Sequence, residues 1–233
     1  MNRTNLSASI IICATLGMPL AANAGIIGTA ENGSGNCYPF GCPSTDYGGE
    51  YQQVYASSAF SGVTDISSIT FYNTQQNSGS YALDSGTSSI YLSTTTAPVN
   101  GLSTNLASNI GSNETLVYSG ALPADTKSGF GGQFNFLLSH DFNYNPAQGN
   151  LLMTVASTNG NGSNIYLDFD ESGSVTSRAY AGAFPFADPD GLVTGFDDVT
   201  PVPLPASAWL LLSALGALAF LTRQTPLGAR LTG

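Results

Sequence analysis

Gln133-Phe134-Asn135-Phe136-Leu137-Leu138 puts Phe134, Phe136 and Leu138 at every second position, with Gln133, Asn135 and Leu137 between them. Successive side chains of an extended strand point to opposite faces, so such a run buries one face and exposes the other. The same alternation returns in residues 164–169, where Ile165, Leu167 and Phe169 alternate with Asn164, Tyr166 and Asp168. Ile69 with Phe71, and Ile90 with Leu92, are shorter copies. Leu151, Met153 and Val155 form another, with Leu152 on the opposite phase. Turn clusters separate these runs: Asn77-Ser78-Gly79, Asp84-Ser85-Gly86, Asn159-Gly160-Asn161-Gly162 and Asp188-Pro189-Asp190-Gly191. No long apolar period of helical spacing interrupts residues 25–200, and no internal repeat is visible. The pattern predicts an all-β fold of about eight to ten short strands, a β-sandwich or jelly roll. Residues 159–163, between two alternating runs, are expected to turn a hairpin.

Composition agrees with that reading. Only 9% of the 233 residues are charged, against roughly 25% in an average soluble protein. Ser 28, Thr 22, Asn 18 and Gly 27 dominate, which suits neither a helical bundle nor a charged disordered tail. With 42% hydrophobic and 10% aromatic residues the chain still has a core to bury. All fifteen acidic residues lie between Glu31 and Asp198, where only Lys127 and Arg178 offset them; Arg3, Arg223 and Arg230 lie outside. A surface of that sign repels a phosphate backbone, so nucleic acid is excluded as a partner.

The ends read as targeting segments. Residues 1–24 form a signal peptide: Arg3 supplies the positive start, and Ile10, Ile11, Ile12, Cys13, Ala14 and Leu16 open an apolar stretch reaching Leu20. Ala22-Asn23-Ala24 fits the small-x-small cleavage pattern, which predicts a cut between Ala24 and Gly25. Gly17 and Pro19 weaken the competing reading of an uncleaved anchor helix. Ile12 is too bulky for a lipoprotein site at Cys13, so Cys13 leaves with the peptide.

Residues 206–222, ASAWLLLSALGALAFLT, carry no charge. Their length is at the low end of the ~17–25 residues that span a bilayer. Trp209 stands near the upstream edge and Arg223 follows the downstream one, while Asp197 and Asp198 precede the segment. The positive-inside bias therefore places a tail of residues 223–233 in the cytoplasm and the domain of residues 25–200 outside. Residues 201–205 link the two. In Pro201-Val202-Pro203-Leu204-Pro205-Ala206 the alternate prolines force Val202 and Leu204 out of helical geometry and hold the backbone extended.

The order V-P-L-P-A, apolar segment, Arg resembles the PEP-CTERM sorting signal in its VPLPA variant, over residues 202–233. The resemblance implies an exported substrate of exosortase in exopolysaccharide-producing Gram-negative bacteria. Such a protein crosses the export translocon, is held in the inner membrane by its C-terminal helix and is then cut near the motif. Val202, Pro203, Leu204, Pro205 and Ala206 would be the recognition motif and Arg223 the stop. The family usually ends in a tight Arg cluster, whereas QTPLGARLTG follows Arg223 here. A sortase signal, L-P-x-T-G, would need Thr and Gly where Ser207 and Ala208 stand. A GPI signal would need a polar spacer in place of the proline run. Tyr51-Gln52-Gln53-Val54-Tyr55, Ile66-Ser67-Ser68-Ile69-Thr70-Phe71, Leu92-Ser93-Thr94-Thr95 and Pro146-Ala147-Gln148-Gly149-Asn150-Leu151-Leu152 resemble an ectodomain that recurs among PEP-CTERM proteins, which implies no enzymatic activity.

Once the signal peptide is gone, Cys37 and Cys42 remain, spaced C-x4-C. In an oxidising envelope the pair is expected to close a small disulfide loop. The loop-entropy gain would be about 2 kcal/mol. Two thiols do not make a structural zinc site, which takes four ligands. His140 is followed by Asp141, but no G-x-S-x-G elbow accompanies them, and His140 reads as a strand-end residue. No carboxylate pair is singled out by spacing for glycoside hydrolysis, and metal hydrolysis would need more imidazoles or a carboxylate cluster. Asp168-Phe169-Asp170-Glu171 with Gly173 resembles a fragment of a calcium loop without its full spacing, and reads better as a solvated turn. Asp188 and Asp190 read as turn formers. No catalytic residue, metal ligand or cofactor is therefore expected. The reading is a non-enzymatic protein of the cell surface or biofilm matrix, with Tyr and Asn on exposed loops meeting exopolysaccharide. The alternatives are a secreted carbohydrate-binding module and a polysaccharide hydrolase.

Overall fold

The alternating runs become strands. A computed structural model describes residues 25–29, 35–74, 86–123, 132–158, 165–182 and 185–197. In chain order the strands are β1 (Ile26–Ile27), β2 (Glu50–Tyr55), β3 (Thr64–Tyr72), β4 (Thr87–Thr95), β5 (Thr115–Ala121) and β6 (Gln133–Tyr144). They continue with β7 (Asn150–Thr158), β8 (Phe169–Asp170), β9 (Thr176–Tyr180), β10 (Phe186–Asp188), β11 (Gly191–Leu192) and β12 (Thr194–Phe196). Helical structure among the described residues is limited to short 3-10 turns. The protein is all-β.

The strands form a four-stranded sheet ordered β1-β12-β3-β6, a six-stranded sheet ordered β10-β9-β2-β7-β4-β5, and a small β11-β8 pair. The two larger sheets share one core. Ile69 and Phe71 of β3, Phe134 and Phe136 of β6 and Phe196 of β12 meet Tyr55 of β2, Ile90 of β4 and Met153 of β7 in it. Rings touch across the layers: Tyr55 meets Phe196 edge-on at 5.0 Å, and Tyr118 meets Phe136 at 5.2 Å. Aromatic pairs in this arrangement add to the burial of their area. Polar groups tie the six-stranded sheet to the β11-β8 pair. Gln53 Nε2 donates to the Leu192 carbonyl at 2.8 Å, and the Leu192 amide donates to Gln53 Oε1 at 2.8 Å.

Leu152 explains itself in this frame. β7 lies between β2 and β4, so both of its edges are paired. Leu151, Met153 and Val155 face the main core, while Leu152 joins Val54, Leu102, Leu106 and Ala179 in a second cluster. The loop containing Leu102 and Leu106 covers that outer face. Its cover is fastened by Gln52, whose Nε2 donates to the Leu106 carbonyl at 3.1 Å and whose Oε1 accepts from Asn109 Nδ2 at 2.8 Å.

Two expectations of local structure change. Residues 159–164 lie outside the described residues, but the runs on either side of them do not pair as a hairpin. β7 is already paired on both edges, and the chain beyond it bridges elsewhere, Leu167 to Asn36 and to Asn73. The alternation also slips at Asp168. Ile165 and Leu167 are buried and Tyr166 is exposed as expected, yet Asp168 is buried and Phe169 only half-buried. The reason is that Asp168 becomes a backbone junction, donating to the Tyr72 carbonyl at 2.9 Å and accepting from the Val193 amide at 3.0 Å.

The chain divides into two units between Asp198 and Val199. The second unit, with the predicted sorting motif and apolar segment, lies outside the described residues, as does the predicted signal peptide. Among the described residues no helix is long and apolar enough to cross a membrane.

Candidate functional site

At the β9–β10 edge the inner face of the large sheet carries a cluster built by strand register. Gln53 of β2 stands opposite Arg178 of β9, and Tyr51 opposite Tyr180. Arg178 in turn stands opposite Asp188 of β10, and Tyr180 opposite Phe186. Directly opposed residues in an antiparallel pair project from the same face. An ion pair and an aromatic pair therefore lie side by side on this ledge.

The ion pair is forked. Arg178 Nε donates to Asp188 Oδ1 at 2.7 Å and Nη2 to Asp188 Oδ2 at 2.9 Å, with a longer contact from Nη2 to Asp190 Oδ2 at 3.4 Å. The side chains of Arg178 and Asp188 are 9% and 12% exposed, that of Asp190 31%. Burial by itself would weaken the charged guanidinium, but its bond to Asp188 and the negative charges of Asp188 and Asp190 together outweigh that and hold the proton more firmly. Burial and the neighbouring Asp188 raise the Asp190 carboxyl above its ordinary range, with Arg178 opposing. Arg178 Nη1 is buried without a hydrogen-bond partner among the described residues.

The aromatic half is stacked. Tyr180 lies against Tyr38 with ring centroids 5.1 Å apart and against Phe186 at 6.0 Å, and the Arg178 guanidinium carbon is 5.9 Å from the Tyr180 ring centre. Tyr38 reaches Tyr180 from the loop closed by the Cys37–Cys42 disulfide, whose Cα atoms are 5.0 Å apart. Phe40 of the same loop is fully buried against Phe71 and Phe136, which seats the loop in the main core. Phe186 is half exposed. A cavity of about 360 Å³ lies on the other, outer face of the same strands, bounded by Asn100, Leu102, Ser177, Ala187 and Pro189 with Arg178 and Asp188. Asn100 adopts a left-handed φ of 62° there, held by its Nδ2 donating to the Gly173 carbonyl at 2.8 Å and its amide to Ser177 Oγ at 2.8 Å.

The residues singled out in the sequence fare differently. Ala24, Val202, Pro203, Leu204, Pro205, Ala206, Trp209 and Arg223 lie outside the described residues. Gly25 is exposed just ahead of β1. His140 is not at a strand end. It sits exposed within β6, where the register passes from Ser68 opposite Leu137 to Ile66 opposite Phe142, so that the intervening residues of β6 bulge against Ser67. Asp168 and Asp170 do not form a solvated turn, because both are buried. Asp170 Oδ2 accepts from the Thr29 amide at 2.9 Å and Oδ1 from the Ser172 amide at 2.7 Å. Burial pushes its carboxyl up, but these bonds, with one from the Ser172 hydroxyl, outweigh it and hold the carboxyl below its usual range. Asp188 and Asp190 are ion-pair partners as well as turn formers. The tyrosines are mostly not on exposed loops: Tyr47, Tyr51, Tyr55 and Tyr144 are core residues, and Tyr166 is the exposed one among those described.

Arg178, Tyr180, Phe186 and Tyr38 were not picked out from sequence. A usable signal existed in Arg178, one of two basic residues in the domain, with aspartates ten and twelve positions later. No group of three or more metal-ligating side chains gathers among the described residues. Comparison with known proteins finds no family model, no curated protein and no solved structure that matches the chain.

Proposed function

We propose that the chain is a non-enzymatic exported protein of the cell surface or biofilm matrix, anchored through residues 206–222 and processed by exosortase at Val202-Pro203-Leu204-Pro205-Ala206. The observation that carries this is the tail itself: an extended proline motif, a charge-free segment and Arg223, in that order. Two features of the domain support it. The Cys37–Cys42 disulfide suits an oxidising compartment. The antiparallel register also sets Ile26 of β1 opposite Gly195 of β12, so the chain enters the domain beside the point where it leaves.

The test is an immunoblot of membrane and medium fractions from the producing bacterium. Replacing Pro203 and Pro205 with Ala, the best helix former, should let a helix grow into the motif, so that full-length membrane-bound precursor accumulates. Deleting exosortase should give the same precursor with the natural sequence, and removing residues 206–233 should release an unanchored domain. Trimming and release of the Pro-to-Ala protein at the wild-type level would show that the motif is only a linker.

A further inference from the structure

We propose that the β9–β10 ledge binds an uncharged polysaccharide chain, with Phe186 as its stacking surface and Asp190, held by Arg178, as its hydroxyl-binding group. The apolar part is preformed: Phe186 is half exposed and is backed by Tyr180, which is itself stacked on Tyr38. A ring held this way loses little freedom when a sugar face covers it. The polar part begins two residues along the same strand, at Asp188 opposite Arg178. Asp190 is the more exposed of the two carboxylates on Arg178, with its side chain 31% exposed, whereas the guanidinium itself is buried behind it.

The chemistry of that carboxylate selects the ligand. A sugar hydroxyl can donate to the exposed Asp190 carboxylate, which as an ionised group only accepts. An anion would meet two aspartates, and a cation would meet the arginine. The wider surface argues the same way, since fifteen acidic residues against Lys127 and Arg178 repel a polyuronate. A protein partner is a poorer fit, because a stable interface buries roughly 800 Å² on each side around an apolar centre. Among the described residues of the ledge a single exposed ring adjoins charged groups. β10 is nevertheless an edge strand, and pairing with a second copy is the rival that the experiment must separate.

This inference rests on the matrix reading only for where the glycan would be met. The full-length protein in detergent is titrated calorimetrically with neutral hexasaccharides of glucose, galactose, mannose and N-acetylglucosamine, and with hexagalacturonate. At least one neutral probe should bind and hexagalacturonate should not. Phe186→Ala should weaken that binding about tenfold, and Asp190→Asn should weaken it with the melting temperature retained. Leu137→Ser, on the exposed side of β6, should leave it unchanged. Failure of all neutral probes, preference for hexagalacturonate, or equal binding by Phe186→Ala overturns the proposal. So does a Phe186→Ala protein whose change is confined to self-association in sedimentation. Trimming is scored separately by immunoblot, so loss of glycan binding with normal trimming removes the site alone, and binding without trimming removes the sorting reading alone.

Discussion

Asp197 repairs the sheet at Ser67. Where the β3–β6 register slips, Asp197 Oδ1 accepts from the Ser67 amide at 2.8 Å, the Ser67 hydroxyl at 2.7 Å and the Ser68 amide at 3.0 Å. Its backbone reaches the same place, the amide donating to the Ser68 carbonyl at 3.1 Å with φ at 52°. The last described residue of the domain is thereby tied to the middle of β3.

Replacing Asp197 with Ala removes an ionised acceptor from these donors and should lower stability by about 1–3 kcal/mol. Asp197→Asn keeps an acceptor oxygen and tolerates the left-handed backbone, so it should lose clearly less. Thermal denaturation followed by circular dichroism checks the order, and equal losses for the two variants would reject the hydrogen-bond account.

The Arg178–Asp188 pair is buried and its partner at Asp190 is not. Asp188→Ala leaves the guanidinium without its main partner and should cost about 3–5 kcal/mol. Asp190→Ala should cost about 1 kcal/mol or less. Replacing Arg178 and Asp188 together with Met and Leu should recover most of the loss, because no uncompensated charge remains. Urea denaturation of the three variants is the measurement.

Asp170 gives stability a pH dependence of known sign. Its folded pKa is lowered by the bonds from Ser172 and Thr29, which outweigh burial. Its contribution is therefore full above the unfolded aspartate pKa of about 3.9 and is lost as the pH falls through the lower folded value. Asp170→Asn should be less stable than wild type at neutral pH, and the gap should narrow on acidification below that range. A gap that stays constant from neutral to strongly acid pH would contradict the assignment.

Leu152 tests the double-sided burial of β7. It is fully buried, so Leu152→Ala should cost about 2–5 kcal/mol. Leu137→Ala, at a position 70% exposed, should stay within about 0.5 kcal/mol of wild type. Comparable losses at both positions would mean that the outer cluster around Leu102 and Leu106 contributes little.

The strands at Phe134 and Phe136, Ile69 and Phe71, and Ile90 and Leu92 were legible because a side-chain period of two depends only on neighbouring residues. The polar, low-charge composition and the short loop between Cys37 and Cys42 were legible for the same reason: each is a property of the chain over a short span. Pairing partners were not. Whether β7 pairs with the run after it or with β2 and β4 depends on residues about a hundred positions away, as Tyr51 opposite Val155 shows. The phase slip at Asp168 was equally invisible, since it is set by Tyr72 and Val193. The ledge combines a local pairing of consecutive strands, which sets Arg178 opposite Asp188, with tertiary contacts from distant segments. Tyr38, Arg178 and Phe186 come from three separate segments, and only the β2–β9–β10 register and the seating of the disulfide loop bring a ring and an ion pair onto one face.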